Sequence, residues 1–445
     1  MSDDQRSIYL TIDLALRVGE LVLASGAGAA DTTATMLAVT SAAGLRNCEV
    51  DVTFTSLTIS YQGEPDVAPE THMRQVRYRA LDYTHLTSID HMVRSFAFGE
   101  IGVEEARKEL ATIISAGHPY PKWASMVGWG AFAGFAGILI GGGLVVFLVA
   151  FASGVLIDAI NRQVERRRVP NFYQQVIGGF LATVIALGVG ALLPAARSSL
   201  IVAAVIILLL AGMAIVGAVQ DALTGFYVTA SARSFEAILL TGGIIGGIGG
   251  GLGLVTSFGY ELSVQPFAPL GLGYLPIAAL SSAAASASFA FASFAPPRAL
   301  FPVAVIGAAS QVVFRPAIEL GLGSAWASAI AALFVGMVSY SVAGRVRVPP
   351  LVVVVSGIVP LLPGLSTYRG LFQLFQGNVL GVTSLFAAVG IAVGIAAGVI
   401  LGEYIAQPLR REARRLETRL AGPRLVGPMR PKRRPKRSVA EREAV

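Results

Sequence analysis

The stretch AGMAIVGAVQDALTG, Ala211 to Gly225, and its echo SGIVPLLPGLSTYRG, Ser356 to Gly370, decide how this chain is built. At an offset of 145 residues Gly212 falls on Gly357, Gly225 on Gly370, and Asp221 faces Ser366. Each copy lies in an apolar, helix-length segment and interrupts it with glycine or proline followed by polar side chains. A duplicated, broken, polar-tipped membrane segment points to a transporter's binding site at the interface of two repeats.

Composition places both copies in a membrane. A mean hydropathy of +0.67, 54% hydrophobic residues and 14% charged residues lie outside the range of water-soluble domains and imply a polytopic α-helical membrane protein. The start, MSDDQRSIYLTIDLALRVGE, is expected to be no signal peptide, because no basic leader precedes an apolar core and Asp13, Arg17 and Glu20 interrupt its hydrophobicity. Cys48 is the one cysteine, so no intrachain disulfide forms and a reducing compartment is expected for the N-terminal region.

The net charge of +7 hides three regions. Residues 1–118 carry 9 basic and 16 acidic side chains, 119–407 carry 12 and 7, and 408–445 carry 13 and 4. The first region reads as a small α+β cytoplasmic domain, with helices Ile8–Ser25, Thr32–Ala43, Tyr83–Ala97 and Val103–Ala116. Strands are expected at Cys48–Thr53, Ser56–Tyr61 and Met73–Arg79, a turn at Gly26 and Gly28, and Asp31 as an N-cap. The last region, LRREARRLETRL then MRPKRRPKR, follows a membrane helix directly. That position favours a disordered cytoplasmic tail facing anionic lipid over nucleic-acid binding.

Ten spans fit between them. The first half, 119–260, offers Trp123–Gly141, Gly143–Ile160, Phe172–Leu193, Leu200–Val219 and Phe235–Leu254. The second, 261–407, offers Leu272–Phe294, Leu300–Phe314, Ser324–Ala343, Leu351–Leu362 with a polar extension, and Val382–Ala406. Arg162 and Arg166 to Arg168 follow the second span, Arg298 the sixth, Arg345 and Arg347 the eighth, and the basic tail the tenth. The positive-inside rule then puts both termini in the cytoplasm. Because five is odd, the halves run in opposite directions and form two inverted five-helix repeats that can rock against each other.

Charges at membrane depth are costly and usually line a pathway. Asp221, with Gln220 and Thr224 beside it, is the main candidate, able to bind an amine or exchange a proton if Gly212 and Gly217 let the helix unwind. The competing reading is a carboxylate snorkelling at the cytoplasmic end of its span. In the second copy Gly357, Pro360, Pro363 and Gly364 break the helix, and Ser366, Thr367 and Arg369 follow. Arg369 would receive a substrate carboxylate, or sit in a periplasmic loop. Glu403 is a candidate proton relay or a solvated helix end. Arg233 with Glu236, and Arg315 with Glu319, have the spacing of helix-face pairs. Gly242, Gly246 and Gly250, and Gly390, Gly394, Gly398 and Gly402, recur every fourth residue and read as helix-packing stripes.

Signals of soluble catalysis are weak. GELVLASGAGAAD contains neither a P-loop nor a dinucleotide fingerprint, HExxH and GxSxG do not occur, and His72, His85, His91 and His118 lack metal-ligand spacing. No catalytic residue, metal or cofactor is therefore expected. The partners expected are a small-molecule substrate, protons and the lipid bilayer, with room for a homo-oligomer and none for nucleic acid.

RVGELVLASGAGAADTTATM and CEVDVTFTSLTISY resemble the cytoplasmic domain of the bacterial threonine/serine exporter family. VGAVQDALTGFYVTASARSFEA resembles its first membrane half and SGIVPLLPGLSTYRG the PLVPG-type motif of its second. The similarity runs from about Ile8 to Leu409, and some members of the wider group carry the halves on separate subunits. It implies ten helices, an inner-membrane location and export of small hydroxy amino acids on the proton gradient. Dicarboxylates such as succinate are the alternative cargo, since related split systems are associated with them; a passive channel and a membrane-embedded enzyme are more distant readings. Ala214 and Ala218 stand where the second copy has Val359 and Pro363, so the first bend must come from glycine.

Overall fold

The computed structural model describes residues 3–420 apart from 65, 78, 80, 194–196, 210, 211 and 259–270, with backbone only at 3, 4, 212, 213, 371, 375 and 407–420. The expected tail thus lies largely outside the described residues.

Helices α1 (Asp3–Ala24) and α2 (Ala29–Ala42) precede an antiparallel sheet of β1 (Cys48–Val52), β2 (Ser56–Tyr61) and β3 (Glu70–Gln75), in that order, followed by α3 (Tyr83–Ala97) and α4 (Val103–Ser115). Val52 faces Leu57 across the β1–β2 pair, and Leu57 and Ile59 alternate inward on β2. These side chains join Ile12, Val18, Met36, Met92 and Leu110 in one core. The third strand starts three residues earlier than expected and ends at Gln75, because its pairing with β2 runs from Tyr61↔Glu70 to Ser56↔Gln75. Beyond it the chain turns toward the membrane part. Asp31 is not the N-cap of α2: the helix begins at Ala29 with Gly28 in the cap position, and Asp31 sits in its first turn.

The membrane part comprises α5 (Lys122–Leu139), α6 (Leu144–Arg166), α7 (Asn171–Leu192), α8 (Ser198–Leu209), α9 (Gly212–Leu223) and α10 (Tyr227–Ser257). Then come α11 (Leu275–Ala292, entered by a 3₁₀ turn), α12 (Pro297–Glu319), α13 (Ser324–Val346), α14 (Pro350–Ile358), α15 (Gly364–Phe375) and α16 (Leu380–Leu420). Among the described residues seven helices are long and apolar enough to cross a membrane, or nine if each of two bent pairs is one span. The remaining expected span, Trp123–Gly141, appears as the 18-residue α5, whose lysine start, four glycines and two tryptophans make it less apolar than the others. It packs between α6 and α11. At its far end α16 runs on to Leu420, so the backbone of residues 408–420, expected as disordered tail, is helical.

The two bent pairs are the two quoted segments. α8 and α9 meet at 46°, with residues 210 and 211 at the break outside the described set; α14 and α15 also meet at 46°, across Pro360 and Pro363. Helix neighbours recur between the halves. α5 packs on α6 and α8, α7 on α6, α8 and α10, and α9 on α10. Six helices later, α11 packs on α12 and α14, α13 on α12, α14 and α16, and α15 on α16.

Small residues set the closest of these contacts, and in α10 the stripe is one residue out of phase with the expectation. Nothing lies within 4 Å of a Cβ built on Gly242 or Gly246, whereas one on Gly243 or Gly247 would strike the backbone of α7. In α16 the stripe falls as expected, with Gly394, Gly398 and Gly402 against the backbone of α13.

The small domain caps one end of the bundle. Tyr83 N donates to Ser293 O at the α11–α12 turn, His91 Nε2 contacts Arg347 O at the α13–α14 turn, and Thr229 Oγ1 donates to Val52 O from the first turn of α10. The opposite end is tied by Arg315 Nη2 and Tyr274 OH, which donate to Leu139 O and Ile138 O. Arg315 also lies over the Tyr274 ring.

Candidate functional site: a charged cavity beneath the N-terminal domain

Gly225, at φ +93°, lets the chain reverse after α9, so that Arg233 on α10 faces back toward Asp221 in the last turn of α9. Arg233 Nε lies 3.1 Å from Asp221 Oδ2, and the two side chains are 9% and 1% exposed. Gly217, one helical turn before Asp221, makes the pairing possible: a Cβ there would come 2.8 Å from Arg233 Nη1. Arg233 therefore pairs across the turn, and not with Glu236 three residues along its own helix.

The N-terminal domain completes this pair. Arg233 Nη2 donates to Ala27 O at 2.9 Å, and Ala29 N donates to Asp221 Oδ1 at 2.8 Å. Gly28 offers α2 no side-chain cap, so the helix is capped by a carboxylate 192 residues away. A negative charge at a helix N-terminus satisfies a free amide and complements the helix dipole. The turn Gly26–Gly28 brings α2 close enough for this, Gly26 taking φ +94°.

Beside the pair, on the Arg233 side, lies a cavity of about 640 Å³, roofed by α2, α3 and Arg79 of the domain and walled by α9, α10, α13, α14 and α16. Its lining carries both signs of charge, with Asp31, Glu236 and Glu403 set against Arg79 and Arg233, and Gln220 among them. Val354, Val355 and Ile358 of α14 supply an apolar wall. Desolvation by the surrounding protein within the cavity, and then the nearby charge of Asp221, raise the Asp31 carboxyl above its ordinary range. Arg79 stacks on Phe54 and donates to its carbonyl. Burial and the charge of Arg233 push its guanidinium down to about 10. Glu403 and Tyr340 both line the cavity.

Of the residues singled out from the sequence, Gln220 and Glu403 line this cavity, and Asp221 lies buried behind its partner Arg233. Thr224 closes α9 by donating its hydroxyl to Gln220 O and Asp221 O. Ser366, Thr367 and Arg369 lie on α15, which does not line this cavity. α14 begins at the domain end and α15 continues away from it after the bend, so a residue matched to Asp221 by the repeat lies toward the other end. Thr367 Oγ1 donates to Pro363 O at 2.8 Å. Gly212 opens α9, while Gly217, expected at the break, lies inside the helix. Gly357 packs against Ile306, Pro360 O accepts from Gln311 Nε2, and Gly364 meets Ile207 of α8. Arg233, Asp31, Arg79 and the Ala27–Ala29 backbone were not singled out as site residues. The one sequence signal for the last was a helix start, GAGAAD, with no hydroxyl side chain to cap it.

Two family profiles match the chain: "Putative threonine/serine exporter" over residues 13–255 and "Threonine/Serine exporter, ThrE" over residues 278–405. A Mycobacterium tuberculosis protein named "Probable threonine/serine exporter" is 35% identical over 386 residues, 85% of this chain and 73% of that protein. The "Threonine/serine exporter" of Corynebacterium glutamicum is 34% identical over 396 residues, 87% of this chain and 80% of its own. No solved structure matches.

Proposed function

This chain belongs to the threonine/serine exporter family, and we propose that it exports small hydroxy amino acids, L-threonine and L-serine, from the bacterial cytoplasm. Export is driven by the proton gradient and runs by alternating access between two inverted five-helix repeats in the inner membrane, with both termini in the cytoplasm. The recurrence of helix neighbours between α5–α10 and α11–α16 supports the repeat reading. The basic loops support the orientation, and with it a tail that lies on anionic lipid.

The observation that carries the proposal is the 640 Å³ cavity. It falls within the roughly 300–1,000 Å³ of small-molecule sites, takes its walls from both halves, and holds both signs of charge, as a zwitterion requires. Gln220 and Asp221 bind the substrate at the domain end, and Thr224 holds the end of their helix. Ser366, Thr367 and Arg369 do the corresponding work at the other mouth once the halves have rocked. Asp221 and Glu403 carry the coupling proton. The breaks at Gly212 and at Pro360–Pro363 are where each half bends.

Counterflow in proteoliposomes under an imposed pH gradient tests this. Vesicles preloaded with L-threonine should accumulate labelled threonine and serine, faster when the gradient is imposed, and should leave labelled succinate outside. Succinate uptake matching threonine uptake, or uptake indifferent to the gradient, contradicts the reading.

A further inference from the structure

The Asp221–Arg233 pair has the form of a receptor holding its own charges. Each partner sits in a prepared place. The guanidinium occupies the notch left by Gly217 and is anchored on Ala27 O; the carboxylate is held between Arg233 and the N-terminal amide of α2. Arg233 and Asp221 are 7% and 0% exposed, yet Arg233 also lines the open cavity. Arg233 Nε and Asp221 Oδ2 meet each other at 3.1 Å and no further hydrogen-bond partner, so each depends on the ion pair alone. A buried ion pair recovers its desolvation cost only when further hydrogen bonds complete it, so this pair is poised to exchange.

A zwitterion can enter it without changing the buried net charge. Resting on the exporter reading above, we infer that the substrate inserts between Asp221 and Arg233, its carboxylate taking the place of Asp221 against Arg233 and the Ala29 amide and its ammonium binding the displaced Asp221. Insertion gives Arg233 Nε and Asp221 Oδ2 each a partner on the substrate in place of one another. It also gives the N-terminal domain a direct part in substrate recognition, through the backbone of Ala29. Selectivity follows. A dicarboxylate has no cation for Asp221, and a free amine has no anion for Arg233 and the helix N-terminus.

Equilibrium binding to the full-length purified protein tests this with L-threonine, N-acetyl-L-threonine (carboxylate only) and L-threoninol (ammonium only). Wild type should bind threonine at least about tenfold more tightly than either analogue, the worth of one charged hydrogen bond. Asp221→Asn should weaken threonine by about tenfold but the N-acetyl analogue by under about threefold, since the latter never used the carboxylate. Arg233→Gln should likewise spare threoninol. Equal losses for threonine and its analogue in either variant overturn the inference. If these variants do not fold, Ala29→Pro decides. Ala29 is the first helical residue and Gly28 is extended at ψ 162°, so proline fits the backbone there while deleting the amide. Threonine binding should fall with threoninol binding unchanged; if both hold or both fall, the inference fails. Threonine binding to wild type with no preference over the analogues defeats the inference alone, whereas no binding of threonine or serine to wild type defeats the exporter reading.

Discussion

Arg233→Ala is expected to destabilise the folded protein by about 3–5 kcal/mol, the cost of leaving a buried charge without its partner, and to abolish threonine counterflow. Asp221 is fully buried, and the alanine variant leaves it with the Ala29 amide alone at close range. Arg79, whose charge also acts on Asp221, belongs to the domain and is engaged with Phe54. Truncation also empties the notch at Gly217 and frees Ala27 O, so the domain loses its seat on the bundle as well as a charge. The double variant Arg233→Leu/Asp221→Asn should recover at least half of the lost stability. Its asparagine still accepts from Ala29 N, and neither member of the pair is left charged without the other. Unfolding of both variants in detergent, followed by loss of helical signal, measures this. An Arg233→Ala protein within about 1 kcal/mol of wild type, the worth of a surface pair, would mean that the ion pair does not hold the domain.

Gly247→Val and Gly398→Val should each abolish recovery of folded protein, while Gly246→Val should behave as wild type. A Cβ on Gly247 would lie 2.1 Å from Val176 O, and one on Gly398 would lie 2.2 Å from Ala329 O. Both obstacles are main-chain carbonyls inside helices, which cannot swing aside as a side chain can. The α7–α10 and α13–α16 seams would have to separate by more than an ångström along their length, forfeiting dispersion contacts that in a membrane have no hydrophobic effect to replace them. Overpacking of this kind costs about 1–3 kcal/mol where side chains yield and more where backbone is struck. Gly246, one residue away, faces open space. Monodisperse yield after detergent extraction separates the three. Equal yields for Gly246→Val and Gly247→Val would show that the seam is not built on this phase.

That one-residue difference shows where the sequence stops being informative. The run GGIIGGIGGG, Gly242 to Gly251, holds two glycine stripes of the same period, 242/246/250 and 243/247/251, and periodicity alone cannot choose between them. The structure buries the second because it meets α7. Most spans and the proline break of the second copy were legible, since helix-length apolar runs and proline announce themselves locally. β1 and β2 were legible in the same way, from their alternating Val, Leu and Ile. The site was only half legible. Asp221, Gln220 and Glu403 stood out as charged or polar residues in apolar surroundings. The partner of Asp221 did not, because local spacing ties Arg233 to Glu236 whereas the chain reversal at Gly225 hands it to the preceding helix. Nor could any local pattern reveal that α2 takes its cap from the membrane part, or that Gly217 is a notch and not a hinge. Ser366 was matched to Asp221 by repeat position, whereas it lies on α15, which does not line the cavity.

The claim beneath all of this is that the domain-capped end of the bundle faces the cytoplasm and that the halves run antiparallel. Single cysteines placed in a Cys48→Ala background at Arg167, Gly344, Leu144 and Leu320, and probed in intact cells with a membrane-impermeant maleimide, test it most directly. Labelling is predicted at Leu144→Cys and Leu320→Cys, with Arg167→Cys and Gly344→Cys protected until the membrane is opened. Labelling that splits either pair between the two sides would contradict the account.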